Sequence, residues 1–148
     1  MPIPPFEKSG LLPQGVHSCT LEEIKARFGS FQANDRRPHL FAGLEAFVAE
    51  ARRSQIVRAI VVDGSFVTAK PAPNDIDLVI VVASAHDFGA DLPPDQYQVL
   101  AQQRVRRRFG FDIVVVKEGS DNFDQAVVFF SRVRQHPGVV KGLLRMNL

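Results

Sequence analysis

The stretch Asp75-Ile76-Asp77-Leu78 puts two carboxylates two positions apart inside an apolar, β-branched run. Side chains at i and i+2 of a strand share one face, so Asp75 and Asp77 are expected to point together while Ile76 and Leu78 enter the core. Anions held that close raise one another's pKa or take a cation between them, and carboxylate oxygens suit Mg²⁺ or Mn²⁺. A third carboxylate, Asp112, opens a later apolar run as Phe111-Asp112-Ile113. Neighbouring strands lie about 4.8 Å apart, which would bring it within reach of the pair. Upstream, Gly64-Ser65 closes another β-branched run, with nine residues between Ser65 and Asp75. Glycine permits close backbone approach, and Ser65 adds a hydroxyl and an amide, so a turn there suits a phosphate. Singly, Asp-x-Asp is an ordinary solubilising strand end and Gly-Ser an ordinary turn. The combination is far more specific than its parts.

Strand, Gly-Ser, gap, Asp-x-Asp strand and later strand-borne Asp together resemble the nucleotidyltransferase superfamily, which includes the polymerase-β-like palm and the minimal nucleotidyltransferases. The resemblance implies that Gly64 and Ser65 hold the phosphates of a nucleoside triphosphate. It implies further that Asp75 and Asp77 ligate two divalent metals, Mg²⁺ or Mn²⁺, and that Asp112 ligates one and helps deprotonate an acceptor hydroxyl. More closely, Gly15-Val16-His17, Thr20 to Glu23, Arg27-Phe28-Gly29, Asp63 to Thr68 and Lys141-Gly142 resemble an uncharacterised bacterial family of stand-alone nucleotidyltransferase-like domains, a likeness covering nearly the whole chain. Two positions depart from the minimal enzymes. Asp63 stands where they carry an apolar residue before the glycine, and Phe66 to Lys70 replaces their arginine-containing stretch, leaving Lys70 as the cation to meet the nucleotide.

These residues need strands to carry them and helices to cover the strands. Ile56 to Val62, Asp75 to Ala83 and Phe111 to Val116 are β-branched apolar runs, and Val139 to Leu148 supplies a last strand. Thr20-Leu21-Glu22-Glu23 has the form of a capping box, which starts a helix that Gly29 stops. Leu40, Leu44, Phe47, Val48 and Ala51 recur at helical spacing between Asp35 and Arg53, with Pro38 tolerated in the first turn. Asp95 to Arg108 and Asp121 to Arg134 read as two more helices, the second ended by Pro137-Gly138, with Phe129 and Phe130 as core. The fold expected is α/β (α+β): a small mixed sheet packed against helices, as one domain over residues 20–148. Residues 1–19, with four prolines and no apolar period, read as an arm on that domain.

At 148 residues and 16.4 kDa, 45% hydrophobic and 23% charged, the chain can build one core and is not disordered. Net charge of +2 and a pI near 9.0 do not make a polycation. Arg104, Arg107 and Arg108 share a helical face beside Arg106, but no aromatic residues interleave with them, so nucleic acid is weakly supported as a partner. The apolar runs fall far short of a membrane span, and the single Cys19 forms no internal disulfide, which fits a reducing cytoplasm. His17, His39, His86 and His136 lack ligand spacing and read as structural or surface groups. The expected function is metal-dependent transfer of a nucleoside monophosphate from a nucleoside triphosphate to a hydroxyl on an unidentified acceptor. The alternative is a non-catalytic interaction module, an antitoxin-like partner of another protein, in which the acidic cluster has changed its role.

Overall fold

A computed structural model describes residues 3–30, 35–89, 91–132 and 138–148. The fold is α/β (α+β), a five-stranded mixed sheet with helices on both faces. In chain order the elements are β1 (Val16–Ser18), α1 (Leu21–Phe28), α2 (Arg36–Ser54), β2 (Val57–Asp63), a 3₁₀ turn (Ser65–Val67) and β3 (Asp77–Val82). Then follow α3 (Pro94–Leu100), α4 (Gln102–Phe109), β4 (Asp112–Lys117), α5 (Asp121–Ser131) and β5 (Leu143–Asn147). The sheet order is β1-β5-β2-β3-β4. β1 runs parallel to β5 and β3 to β4, whereas β2 is antiparallel to both of its neighbours.

Alternation along the strands divides the core in two. Ile60, Val62, Leu78, Ile80, Ile113 and Leu144 face the layer of α1, α2, α3 and α4, where Leu44, Phe47, Val99 and Val105 meet them. Ala59, Val61, Val79, Val81, Val116 and Leu143 face the opposite side, covered by α5 through Ala126, Phe123, Val127 and Phe130. The α1 cap forms as its residues dictate: Glu23 N–H donates to Thr20 Oγ1 at 3.1 Å and Thr20 N–H to Glu23 Oε1 at 3.0 Å.

Five expectations need correction. Order does not begin at Thr20: Leu12 is buried, and Val16–Ser18 is a strand in register with Leu143 to Arg145. Its closeness requires glycine at Gly142, where a Cβ would lie 2.1 Å from the Pro13 carbonyl. The helix expected over Asp95 to Arg108 is two helices, broken where Ala101 is extended. Val99 and Val105 are both buried, and on one straight helix they would point about 120° apart, so the break turns both inward. Asp75 precedes β3 rather than lying in it, and the last strand starts at Leu143 rather than Val139. Phe129 is not core; it is 65% exposed. Arg134, His136 and Pro137 lie outside the described residues.

The loop between β2 and β3 carries Ser65 and Asp75, and two arginines at the start of α2 hold it. Arg37 is buried, and its guanidinium donates to the carbonyls of Phe28, Phe66, Thr68 and Lys70 at 3.3, 2.7, 2.7 and 2.6 Å. It also lies over the rings of Phe28 and Phe66. Arg36 donates to the carbonyls of Pro73 and Asn74 on the far limb of the same loop. A lysine is a point charge and cannot span these carbonyls as a planar fork does. Arg37→Lys is therefore expected to lower stability by about 3 kcal/mol, the scale on which buried polar networks fail when one member goes. Urea unfolding measures it; a loss below about 1 kcal/mol would show that the loop is held by other contacts.

Candidate functional site

Three carboxylates end up side by side because the strands put them in register. Asp63, last in β2, pairs with Asp77, first in β3, and Asp77 pairs with Asp112, first in β4. Directly paired residues point to the same face, and continuing the alternation from Val61, Val79 and Val114 that face is the α5 side. Asp75 stands two residues ahead of Asp77, beside the turn at Gly64. That glycine has φ of 94°, and a Cβ on it would lie 2.8 Å from the Asp75 carbonyl oxygen. Its freedom thus serves the close approach of the loop's two limbs.

Each neighbour of Asp77 has a partner of its own. Asp75 Oδ1 accepts from the Ser65 N–H at 2.8 Å and the Ser65 hydroxyl at 2.7 Å, and Ser65 Oγ in turn accepts from the N–H groups of Asn74 and Asp75. Asp63 is buried, with Lys141 Nζ 2.9 Å from its Oδ1 at an angle outside hydrogen-bonding geometry. Asp112 Oδ1 meets Arg106 Nε at 3.2 Å on the exposed rim. Asp77 alone of the four has no hydrogen-bond or ion-pair partner among the described residues.

The protonation behaviour follows from this layout. Burial pushes Asp77 up, repulsion from Asp75, Asp63 and Asp112 pushes it further, and Lys141 opposes them weakly, leaving a pKa of about 6. Burial also raises Asp63 despite the attraction of Lys141. Asp75 is pushed up by burial, but the two Ser65 donors, with Lys141 and Lys70, carry it below the usual aspartate value.

Among the described residues no three His, Cys, Asp or Glu side chains are gathered closely enough to hold a metal ion. Sequence reasoning therefore finds the acidic neighbourhood, and the register brings Asp77 and Asp112 together, while Asp75 is turned to Ser65 and Asp112 to Arg106. The donor chemistry still fits a hard divalent cation, since every group is a carboxylate oxygen and Asp77 carries uncompensated repulsion.

Asp63, Asp75 and Asp77 border a cleft of about 820 Å³. Gly64, Ser65, Asp63, Asp75 and Asp77 form one side, Lys70, Arg132 and Lys141 bring positive charge, and Phe129 and Phe130 of α5 form an aromatic wall. Lys70 lies at the cleft's margin. The arginine-rich helix is mostly engaged elsewhere: Arg108 pairs with Glu50 and Arg104 with Gln98, in addition to Arg106 with Asp112. Cys19 is free and buried, its thiol pushed up to about 12 by burial. His17 Nε2 lies 2.7 Å from the Pro13 carbonyl, a structural contact.

Sequence reasoning missed Arg37, the Asp63–Lys141 pair and the Phe129 wall. Arg37 was visible as a charge in phase with Phe41, Leu44, Val48 and Ala51 on the buried side of α2. Asp63 was visible as an acid ending an apolar strand, but nothing local names Lys141 as its counter-charge.

The chain belongs to a family of unknown function (DUF6932), whose model matches residues 4–147. No curated protein and no solved structure matches it. No helix among the described residues is long and apolar enough to cross a membrane.

Two outcomes are expected from the electrostatics. Lys141→Met strands a buried carboxylate and should cost about 3 kcal/mol, most of it recovered when Asp63→Leu is added, as denaturant titrations of single and double variants would show. The second concerns Asp77, whose folded pKa lies above the ordinary value near 3.9. Its contribution to stability is full below about pH 4 and is lost as pH rises through about 6. Asp77→Asn should therefore melt higher than wild type at pH 7, with the gap closing by about pH 4. A gap independent of pH would mean that Asp77 is not the strained group.

Proposed function

We propose that this protein is a metal-dependent nucleotidyltransferase that moves a nucleoside monophosphate from a nucleoside triphosphate to a hydroxyl of an acceptor. The observation that carries the reading is the cross-strand alignment of Asp63, Asp77 and Asp112, with Asp63 and Asp77 beside the Gly64–Ser65 turn on one cleft that has cations at its margin. Asp75 and Asp77, with Asp112 at the rim, would hold Mg²⁺ or Mn²⁺; the ion supplies charge neutralisation to a phosphoryl group and to an attacking oxygen.

The chain's own residues have separable tasks. The Ser65 N–H, now given to Asp75, is the backbone donor available to a phosphate oxygen once that carboxylate turns to a cation. Lys70, Arg132 and Lys141 offset triphosphate charge around the same cleft. Asp112, exposed, would take the proton of the acceptor hydroxyl as its oxygen bonds to the α-phosphorus and the bond to pyrophosphate breaks. A cytoplasmic setting accords with the one unpaired cysteine.

The rival reading, an interaction module bound by another protein, is favoured by the exposed Val128, Phe129, Val139 and Val140 at and beyond the end of α5.

Wild type is expected to bind Mn²⁺ by calorimetry and to melt higher with Mg²⁺ and a nucleoside triphosphate. Ligand at about 100 times its dissociation constant adds roughly 2.7 kcal/mol. Asp77→Asn should retain the fold but lose Mn²⁺ binding and any transfer of label from an α-labelled triphosphate. No protection of wild type by any millimolar nucleotide would move the assignment to the interaction module.

A further inference from the structure

The aromatic wall belongs to two adjoining cavities at once. Phe129 and Phe130 line the acid-bearing cleft, and they also line a smaller cavity of about 400 Å³ between β4 and α5. The smaller cavity is floored by Val114 and Val116 of β4 and edged by the carboxamides of Asn122 and Gln125. All four lie on the α5 side of the sheet, the side to which Asp112, two residues before Val114, also points.

The two rings do different work. Phe130 is half-buried in the core beneath α5, while Phe129 is 65% exposed. Their centroids lie 5.3 Å apart with planes at 85°, so Phe130 braces Phe129 edge to face and leaves the outer ring accessible. The helical phase explains the difference: Phe123, Val127 and Phe130 follow the buried stripe, and Phe129 falls about 120° off it. An aromatic ring turned out of a core and into a polar cleft costs hydrophobic stabilisation unless a ligand covers it.

We infer that the cavity of Val114, Val116, Asn122, Gln125, Phe129 and Phe130 receives the nucleobase of the nucleotide, with the base stacked on Phe129 and its edge met by the two carboxamides. The inference rests on the nucleotide reading of the adjoining cleft. A heterocycle has what the cavity asks for: two apolar faces for ring and valines, and a rim of donors and acceptors for side chains that offer both. Continuity through Phe129 and Phe130 lets one molecule place its phosphates beside Ser65, Lys70 and Lys141 and its base against α5. A protein partner would use the same apolar surface without needing the acid-lined cleft.

The sequence contains no tryptophan, so Phe129→Trp installs a single indole reporter at the site. Each nucleoside triphosphate with Mg²⁺ is expected to quench its emission, and inorganic tripolyphosphate with Mg²⁺ is expected to leave it unchanged. In calorimetry, Phe129→Ala should weaken nucleoside triphosphate at least about fivefold, at the lower end of what base stacking contributes, and leave tripolyphosphate affinity unaltered. Phe129 is exposed, so this variant should melt like wild type. If wild type and Phe129→Ala bind nucleoside triphosphate equally, the base subsite is wrong and the transferase reading stands. If wild type binds neither nucleoside triphosphate nor tripolyphosphate, the nucleotide reading falls and this inference with it.

Discussion

Everything at the site depends on how α2 grips the loop between β2 and β3. That loop supplies Gly64, Ser65 and Asp75, yet its only regular structure is one 3₁₀ turn. A segment of this kind would ordinarily be mobile, because few of its backbone groups bond to one another. Here Arg37 takes up three of its carbonyls and Arg36 two more, so consecutive residues of one helix clamp the near and far limbs. Burying a guanidinium without a carboxylate is costly, and burial pulls the Arg37 pKa down. The charge is carried by carbonyl dipoles and two phenyl faces. A carboxylate partner would have satisfied Arg37 locally; carbonyls satisfy it only if the loop adopts one path. Position of the site and stability of the core are thereby the same interaction.

The second constraint is charge. Four aspartates lie at one end of the sheet, and the chain counters three of them individually, Asp75 with a serine, Asp63 with a lysine and Asp112 with an arginine, leaving Asp77 without a partner among the described residues. Lys141 links this balance to topology. It stands just ahead of β5, its N–H donates to Ser131 at the end of α5, and the next residue donates to Leu12. β5 in turn binds β1, so the N-terminal segment fixes the position of the counter-charge for a strand end formed far away in sequence.

Much of this was legible in the residues because the relevant physics is local. β-branched runs name β2, β3 and β4 to within two residues at each end, the Thr20 capping box names α1, and the period of Leu44, Phe47, Val48 and Ala51 names α2. The alignment of Asp77 with Asp112 follows from each lying at the head of an adjacent parallel strand. What escaped is what depends on distant partners. Val16–Ser18 is too short to show a period and becomes a strand only by pairing with β5. Ala101 reads as helix by propensity, and packing of both Val99 and Val105 overrides it. Asp75 reads as a strand residue sharing a face with Asp77, but the hydroxyl and amide of Ser65 compete for its carboxylate and hold it short of the strand.

That competition bears directly on how the site would work. Ser65 and Asp75 were each expected to meet a ligand, the serine a phosphate and the aspartate a cation, yet in the free protein they satisfy one another. Neither is left as an unpaired polar group, which the low dielectric of a partly enclosed cleft would penalise. Asp77 has no such arrangement, and its raised pKa is the signature of the remaining strain. Under the proposed reading, a cation at Asp77 would relieve the repulsion and attract the Asp75 carboxylate, and an anion at the Gly64–Ser65 turn would replace that carboxylate as acceptor of the serine donors. The first would lower the cost of the second. If the proposed reading holds, cation and phosphate bind with positive cooperativity, as a consequence of a single hydrogen-bonded pair on the loop that Arg36 and Arg37 clamp.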